Sequence, residues 1–339
     1  MMHKKVILRA DGGSKIGFGH VYRLLALAQM LKGKFKLAFI SKALPIHIIE
    51  ELYEVCEQVE ILVDEISEAE ELNVLRKIII GGDIVVLDGY QFDIDYQNEI
   101  RNLNAKLVYI DDFANKPISA DAIINHAPGI LPEIYKHISE CNLLGLGLDY
   151  SLIRPDFFSE RLDKLPESIS KSIFISFGGA DPFNITTRVV KAILNHPKVK
   201  KLHVLVTNSF DTGELDKLND FKVRYRNKIN IYSNLKAAEL ANLFHICASA
   251  IVPASTIALE LIASGIKPIV GYYIDNQLNL YNGLIDSSLA IGLGDYRDEI
   301  FLEILEEFLS DRITMVHDKV FDSRPNLLHL FKNLISNYN

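Results

Sequence analysis

The residue of this chain best suited to acid–base chemistry is a histidine at the predicted start of a helix. His20 ends the stretch GFGH, directly before a segment over 21–31 whose apolar residues recur at helical spacing. The positive end of a helix dipole disfavours imidazolium, and a general base near pH 7 must be a neutral histidine. A histidine in this place can equally cap the helix and bond its own loop, and residue type alone does not separate the two roles.

Two glycines and an arginine surround this histidine. Gly17 and Gly19 permit unusual backbone angles and a close approach to a ligand. Arg23, three residues after His20 and on the same helical face, suits either an anion or an ion pair with an acid. The stretch fails as a dinucleotide fingerprint, because seven residues separate the strand VILR from the first glycine and Tyr22 replaces the third small residue.

A second glycine-rich turn, in ISFGGADPFN, suits a phosphate group. Gly178 and Gly179 end a predicted strand and precede a predicted helix, where backbone N–H groups can meet phosphate oxygens. The turn lacks the Gly-Lys-Ser/Thr ending of a P-loop, so we do not expect NTP hydrolysis. A tight turn in which Asp181 or Asn184 caps the helix is an equally good interpretation of this stretch alone.

A third stretch, PASTIALE, joins a predicted strand to a predicted helix. Ser255 and Thr256 can cap that helix or offer hydroxyl and N–H groups to a diphosphate. Glu260 lies one turn further on the same face, where a carboxylate can accept hydrogen bonds from ribose hydroxyls, unless it is only a solvated surface charge. Asn276 and Gln277, in DNQ, open the next helix and suit either sugar hydroxyls or capping.

The acidic pairs and histidines do not form a pattern typical of a metal site. Asp93 and Asp95 form a D-x-D before a predicted helix, where acids are good caps. Asp111 and Asp112 end the strand KLVYID, but no histidine or third acid lies nearby in sequence. The other histidines, His126 among them, lack ligand spacing. We therefore expect no metal ion and no cofactor.

Short apolar runs alternate with helical patterns along most of the chain. The runs VILR, KLAFIS, DIVVLD, KLVYID and DAIIN are apolar throughout, as expected for parallel strands buried on both faces. The second half repeats the alternation with SIFISFGG, HVLV, INIY, ASAIVPAS and KPIVGYY. Repeated βα units predict doubly wound α/β sheets, whose ligands bind at the loops following the strands.

A segment rich in proline, serine and charge separates the two halves. It covers 151–172 and is expected to be a linker. The predicted organisation is an N-terminal domain over 1–150, a C-terminal domain over 173–322, and a C-terminal helix over 323–339 that packs across either domain. Two α/β domains of this kind would face each other across a central cleft.

The composition argues against several classes of partner. A net charge of −8 over 339 residues disfavours electrostatic binding to nucleic acid or to an anionic membrane. No segment approaches the roughly 18 uninterrupted apolar residues of a membrane span, and the N-terminal lysines precede a strand rather than a secretion signal. The three cysteines are scattered, so we expect a cytoplasmic protein.

Taken in order, the motifs of this chain resemble those of one enzyme family. They are RADGGSKIGFGHVYRLLALAQML, VVLDGY, YIDDFAN, YSLIRPDF, SFGGADPFN, ASTIALELIASG and DNQ, from about residue 6 to 285. The family is that of the UDP-2,4-diacetamido-2,4,6-trideoxy-β-L-altropyranose hydrolases of pseudaminic acid biosynthesis. The glycine and DNQ motifs are also similar to those of the wider GT-B glycosyltransferases, including the N-acetylglucosaminyl transferase of peptidoglycan synthesis.

The resemblance implies a GT-B fold, with two Rossmann-like doubly wound α/β domains facing a central cleft and UDP held mainly by the second. It implies that water attacks the anomeric carbon with inversion, that UDP leaves, and that no metal takes part. His20 matches the family's catalytic histidine, and Tyr90 matches an active-site tyrosine position. The chain departs from the commonest pattern at Gly89 and Tyr22, which leaves the sugar's stereochemistry open.

Residues and resemblance together favour hydrolysis of a UDP-linked 2,4-diacetamido-2,4,6-trideoxyhexose, in nonulosonic acid biosynthesis, with the UDP-sugar as the partner. A GT-B glycosyltransferase is the first alternative, because it would use the same UDP site while excluding water and binding an acceptor. A nucleotide-sugar-binding protein without catalysis is the second alternative.

Overall fold

The chain forms two compact units. The computed structural model describes residues 4–13, 17–158, 172–179, 181–311 and 321–336. One unit comprises Met1–Pro155 with Asp322–Asn339, and the other comprises Asp156–Phe321. Most of the predicted linker, 159–171, lies outside the described residues, as do residues 14–16 of the first loop.

The first unit is built on a seven-stranded parallel sheet. Its strands are β1 (Lys5–Ala10), β2 (Lys36–Ser41), β3 (Gln58–Ile61), β4 (Ile84–Asp88), β5 (Lys106–Ile110), β6 (Ala122–Asn125) and β7 (Leu143–Leu146). Their order in the sheet is β3-β2-β1-β4-β5-β6-β7. The order reverses between β1 and β4, so the loops after these two strands border the crevice where doubly wound sheets bind ligands.

Helices cover both faces of this sheet. They are α1 (Gly19–Leu31), α2 (Ile46–Tyr53), α3 (Glu68–Ile78), α4 (Ile94–Asn102) and the short α5 (Pro132–Tyr135). Side chains of β1 alternate between the two layers, because successive strand residues point to opposite faces. Val6 and Leu8 pack in the same core as Leu24 of α1, whereas Ile7 packs with Leu75 of α3 and Ile100 of α4. A run that is apolar on both faces is therefore buried on both faces.

The second unit repeats the architecture with six parallel strands. They are β8 (Ser172–Ile175), β9 (Lys201–Val206), β10 (Ile229–Ser233), β11 (Ser249–Pro253), β12 (Ile269–Tyr272) and β13 (Ile291–Asp295). The sheet order is β10-β9-β8-β11-β12-β13, which reverses between β8 and β11. Its helices are α6 (Ile185–Ile193), α7 (Thr212–Arg224), α8 (Ala237–His245), α9 (Thr256–Ala263), α10 (Leu278–Asp286) and α11 (Ile300–Asp311). Two doubly wound parallel sheets confirm the predicted fold class.

The C-terminal helix α12 (Arg324–Ser336) packs on the first unit. Leu327 and Phe331 belong to the same core cluster as Leu24 of α1. The ring of Phe331 meets that of Phe35 edge to face, with 6.1 Å between the ring centres. The core of the first unit is therefore formed by two segments of the chain, one before and one after the second unit. Among the described residues, no helix has the length and apolar content to cross a membrane.

Candidate active site

Polar side chains of the first unit gather where neighbouring strands end. Ala10 of β1 is in register with Asp88 of β4, and Asp88 is in register with Ile110 of β5. The three strands therefore end level with one another, on either side of the point where the strand order reverses. Helix α1 begins at Gly19 beside the end of β1, which brings His20, in the first turn, to the same edge of the sheet.

His20 is held by a buried carboxylate. The imidazole Nδ1 lies 2.7 Å from Oδ1 of Asp88, which is fully buried, and His20 itself is 9% exposed. An ionised carboxylate only accepts hydrogen bonds, so a contact this short places the ring proton on Nδ1. Arg23 Nη2 also lies 2.8 Å from Nδ1, but its two protons have carboxylate acceptors, Asp88 Oδ1 at 2.6 Å and Asp112 Oδ2 at 3.1 Å. The lone pair of His20 is therefore on Nε2, as a general base requires.

Arg23 bridges two carboxylates. Its Nε donates to Asp88 Oδ2 at 2.9 Å, and its Nη1 donates to Asp112 Oδ1 at 2.6 Å. Burial alone would lower the pKa of Arg23, but the charges of Asp112 and Asp88 outweigh it and hold that pKa well above its usual value. Burial likewise opposes ionisation of Asp112, yet Arg23 holds the pKa of that carboxyl far below its usual range. Of the two predicted roles of Arg23, the structure shows the ion pair.

Tyr90 closes the cluster on its exposed side. Its hydroxyl donates to Asp112 Oδ2 at 2.7 Å, and its ring meets the His20 ring edge to face with centres 4.8 Å apart. The residue is 38% exposed, in contrast to the buried ion pairs beneath it. The two side chains predicted to be catalytic, His20 and Tyr90, are thus in contact.

A second histidine lies at the same edge of the sheet. His126 directly follows β6 and is 5% exposed. Burial, helped by the positive charge of Arg23, lowers its pKa to about 4, so the ring is neutral near pH 7. Its Nδ1 has no hydrogen-bond partner within the described ranges. No sequence pattern singles out this residue, because its neighbours in space come from other strands.

A separate buried ion pair supports the loop that carries Tyr90. Arg9, fully buried in β1, pairs with Asp11 and with Glu71 of α3, the latter at 2.8 Å. The Asp11 carboxylate also accepts a hydrogen bond from the Gln91 amide at 3.1 Å. The loop after β4 is therefore tied to the end of β1.

The remaining acids at this edge are structural. Asp111 accepts the N–H groups of Phe113 and Ala114 and the hydroxyl of Tyr135. Asp93 accepts two N–H groups at the start of α4, as the capping interpretation predicts. Among the residues that the structure describes, no three histidine, cysteine, aspartate or glutamate side chains are grouped so as to hold a metal ion.

The glycines before His20 shape a tight loop. Gly17 has a φ of +74°, which few other residues adopt without strain. Gly13 and Gly17 exchange two backbone hydrogen bonds, of 3.0 and 2.8 Å. A Cβ added to Gly19, the first residue of α1, would meet none of the described atoms within 4 Å.

In the second unit the predicted phosphate turn follows β8. Gly178 has a φ of +76° and is exposed, and a Cβ added at Gly178 or at Gly179 would meet none of the described atoms within 4 Å. Asp181 accepts the N–H groups of Ile185 and Thr186, at 2.9 and 2.7 Å. Asp181 therefore caps α6, and the glycines before it remain accessible to a ligand.

The third predicted stretch follows β11, the neighbour of β8. Ser255 is the N-cap residue of α9 but makes no side-chain capping bond. Its hydroxyl is thus not used as a cap, which was one of its two predicted roles. Thr256 is the first residue of α9, and Glu260, one turn on, is 5% exposed and so is not a solvated surface charge.

The DNQ motif forms a single 3-10 turn after β12, before α10. Asn276 is half-buried and Gln277 is buried. Gln277 Oε1 accepts the backbone N–H of Tyr273 at 3.0 Å. Gln277 therefore supports its own loop. The predicted ligand residues of this unit all follow β8, β11 and β12, which are adjacent in the sheet.

No protein-family model matches the chain. The chain is 26% identical over 285 residues to the UDP-2,4-diacetamido-2,4,6-trideoxy-beta-L-altropyranose hydrolase of Campylobacter jejuni, covering 80% of this chain and 93% of that protein. It is 25% identical to the spore coat polysaccharide biosynthesis protein SpsG of Bacillus subtilis, covering 84% and 82%. It is 27% identical to the uncharacterized protein MJ1062 of Methanocaldococcus jannaschii, covering 88% of this chain but only 62% of that protein's length.

Solved structures share the architecture of the chain. MurG of Acinetobacter baumannii superposes with a TM-score of 0.61 at 12% identity, covering 98% of this chain and 95% of that one. A UDP-glucosyltransferase of Polygonum tinctorium gives a TM-score of 0.62 at 11% identity, covering 99% and 94%. Likeness at these identities establishes the fold. The chain therefore has the GT-B fold of two parallel-sheet α/β domains, and it is a remote relative of a UDP-sugar hydrolase.

Proposed function

We propose that the chain hydrolyses a UDP-linked 2,4-diacetamido-2,4,6-trideoxyhexose to UDP and the free sugar. The observation that carries the proposal is the 2.7 Å hydrogen bond between His20 Nδ1 and Asp88, which leaves Nε2 as a base. The activity named for the Campylobacter jejuni relative, at 26% identity, supports the substrate class.

The reaction needs one proton acceptor and one good leaving group. Nε2 of His20 takes a proton from water as the water oxygen bonds to C1 of the sugar. The bond from C1 to the diphosphate oxygen breaks, and its electron pair leaves with UDP. Attack opposite to the leaving group inverts C1. Asp88 stabilises the resulting imidazolium. The two carboxylates, Asp88 and Asp112, carry one more charge than the guanidinium of Arg23, so the cluster has a net negative charge beside the imidazolium.

Tyr90 is assigned the contact with the sugar. Its hydroxyl proton is directed to Asp112, so the phenol is not the base. Its ring lies across the edge of the His20 imidazole and limits rotation of that ring. Because Tyr90 is 38% exposed, a ligand can contact it directly from solvent.

The second unit is assigned to UDP. Backbone N–H groups of Gly178 and Gly179, and those at the start of α9 beside Ser255 and Thr256, suit the diphosphate, because a helix start carries partial positive charge. Glu260, one turn into α9, is assigned to the ribose hydroxyls.

The remaining predicted ligand residues have lesser roles in this proposal. Gly17 and Gly19 leave room beside His20 for the sugar diphosphate. Asn276 is assigned to a hydroxyl group of the ligand. Gln277 supports the loop through Tyr273.

The test is UDP release from the UDP-sugar in EDTA with no added acceptor. We expect steady release by the wild-type chain and a loss of at least about 10³-fold in His20→Ala, because the base is gone. Circular dichroism should show that the variant is folded. Full turnover by folded His20→Ala would reject the assignment of the base.

A GT-B glycosyltransferase is the second candidate, because a UDP-glucosyltransferase of Polygonum tinctorium shares the fold. Such an enzyme would release UDP only when an acceptor is present. Adding a panel of sugar acceptors to the same assay separates the two candidates.

A further inference from the structure

Two hydroxyl groups hold the glycine turn after β8 from opposite sides. Tyr273, directly after β12, donates its phenolic hydroxyl to the carbonyl oxygen of Phe177 at 3.0 Å. Thr207, directly after β9, donates its Oγ1 hydroxyl to the carbonyl oxygen of Gly179 at 2.6 Å. In the sheet, β9 lies on one side of β8, and β12 lies on the other side beyond β11. The carbonyl groups of Phe177 and Gly179, on either side of Gly178, are thus both hydrogen-bonded to side chains of the same unit.

The geometry of a trans peptide decides where the N–H groups then point. The C=O and N–H of one peptide group are antiparallel. When the Phe177 carbonyl is directed to Tyr273, the N–H of Gly178 is directed the opposite way. That N–H donates to none of the described residues. Gly178 is exposed, and a Cβ added to it would meet none of the described atoms within 4 Å. Its N–H can therefore donate to a ligand that accepts hydrogen bonds.

We infer that Tyr273 and Thr207 are positioning residues for the diphosphate of the nucleotide: Tyr273 orients the Gly178 N–H toward it, and Thr207 anchors the other end of the turn 177–179. The inference rests on the proposed function, because it requires that this turn meets UDP. Neither hydroxyl group contacts the ligand, since each donates its proton to a backbone carbonyl.

The surroundings of Tyr273 keep its hydroxyl a donor. Burial, with a contribution from the charge of Asp181, raises the pKa of the phenol to about 12, so it stays protonated at any working pH. The ring of Phe183 lies 6.1 Å from the Tyr273 ring, and the Tyr273 N–H is bonded to Gln277. The tyrosine is therefore held at its backbone and its ring.

The experiment measures the affinity of the full chain for UDP and for uridine by calorimetry or ligand-observed NMR. Thr207→Val and Tyr273→Phe each remove one hydroxyl and keep the shape of the side chain. We expect each to raise the Kd for UDP about three- to tenfold, the usual effect of losing one hydrogen bond, and to leave the Kd for uridine unchanged. Thr207→Ser, which keeps the hydroxyl, should bind UDP like the wild type.

A matched control removes a tyrosine hydroxyl elsewhere in the same sheet. The hydroxyl of Tyr232 in β10 bonds His203 at 2.9 Å and Asn230 at 3.2 Å, and no hydrogen bond joins it to residues 177–179 within the described ranges, so Tyr232→Phe should leave the Kd for UDP unchanged. Folded variants at Thr207 and Tyr273 that bind UDP within twofold of wild type would overturn the inference. Equal losses of UDP and uridine affinity would also overturn it, since they would indicate general damage. A wild-type chain that binds no UDP would overturn the proposed function and this inference with it.

Discussion

The neighbours of His20, rather than its residue type, decide which ring nitrogen carries the proton. Asp88 accepts a hydrogen bond from Nδ1, and Arg23 holds Asp88 in place by pairing with it and with Asp112. Tyr90 then covers the outer side of the ring. The base at Nε2 thus depends on four neighbouring side chains: Arg23 of α1, Asp88 and Tyr90 at the end of β4, and Asp112 after β5.

Asp88→Asn tests this arrangement. The carboxamide cannot replace the carboxylate in stabilising an imidazolium, and its NH2 group can favour the wrong tautomer of His20. We expect kcat to fall about 10²- to 10⁴-fold, with the fold retained because Arg23 still pairs with Asp112. Asp121→Asn is the control, since Asp121 pairs with Lys106 at the amino ends of the strands, away from this cluster. A kcat within threefold of wild type for Asp88→Asn would contradict the role of this carboxylate.

His126 links the stability of the chain to pH. Its pKa in the folded chain is about 4, chiefly because it is buried, whereas an unfolded histidine titrates near 6.5. Between these values the unfolded chain binds a proton that the folded chain does not. The contribution of neutral, buried His126 to the unfolding free energy is therefore fully present above about pH 6.5 and is lost as the pH falls toward 4. Burial gives His203 a similar pKa of about 4, so both histidines act in this window.

Urea unfolding at pH 4.5 and pH 7.5 measures the effect. In His126→Gln we expect the difference in unfolding free energy between the two pH values to shrink by about 2–3 kcal/mol, because each pKa unit corresponds to about 1.4 kcal/mol. An unchanged difference would mean that His126 titrates normally in the folded chain.

Most of the contacts within this cluster could not be predicted from the sequence. Local patterns single out His20 and Arg23, and the family resemblance adds Tyr90. The partnership of Asp88 with His20 depends on β1 lying beside β4, and 68 residues separate the two side chains. One signal is present in the sequence, since Asp88 ends a fully apolar strand directly before Gly89 and Tyr90.

At the scale of elements, sequence patterns predict the central strands but miss three strands at the edges. The missed strands are β3, β7 and β13, with sequences QVEI, LLGL and IGLGD. Each is the outermost strand of its sheet and is only partly buried. An edge strand has one neighbour, so it does not need the continuous apolar run that marks a central parallel strand.

The packing of α12 gives a prediction at the same scale. Phe331 is fully buried in the core that α1 and β1 share. We expect Phe331→Ala to lower the unfolding free energy by about 3–5 kcal/mol through the cavity it leaves. The Kd for UDP should stay near the wild-type value, because the proposed nucleotide site belongs to the other unit. A destabilisation below about 1 kcal/mol would show that the helix is not part of this core.

At the scale of the whole molecule, one architecture is used twice with different chemistry at the same topological position. In the first unit the loops around the strand reversal carry an acid–base cluster, with His20, Asp88 and Tyr90. In the second unit the equivalent loops carry exposed glycine backbone and an uncapped helix start. The two units thus present different chemical groups at equivalent places in the fold.

The most direct test of the central claim is hydrolysis in water enriched in ¹⁸O, with the products followed by NMR and mass spectrometry. If water activated by His20 attacks C1, the label appears in the free sugar, UDP carries none, and the first anomer released is inverted. Label in the β-phosphate of UDP, or a retained anomer as the first product, would contradict this account.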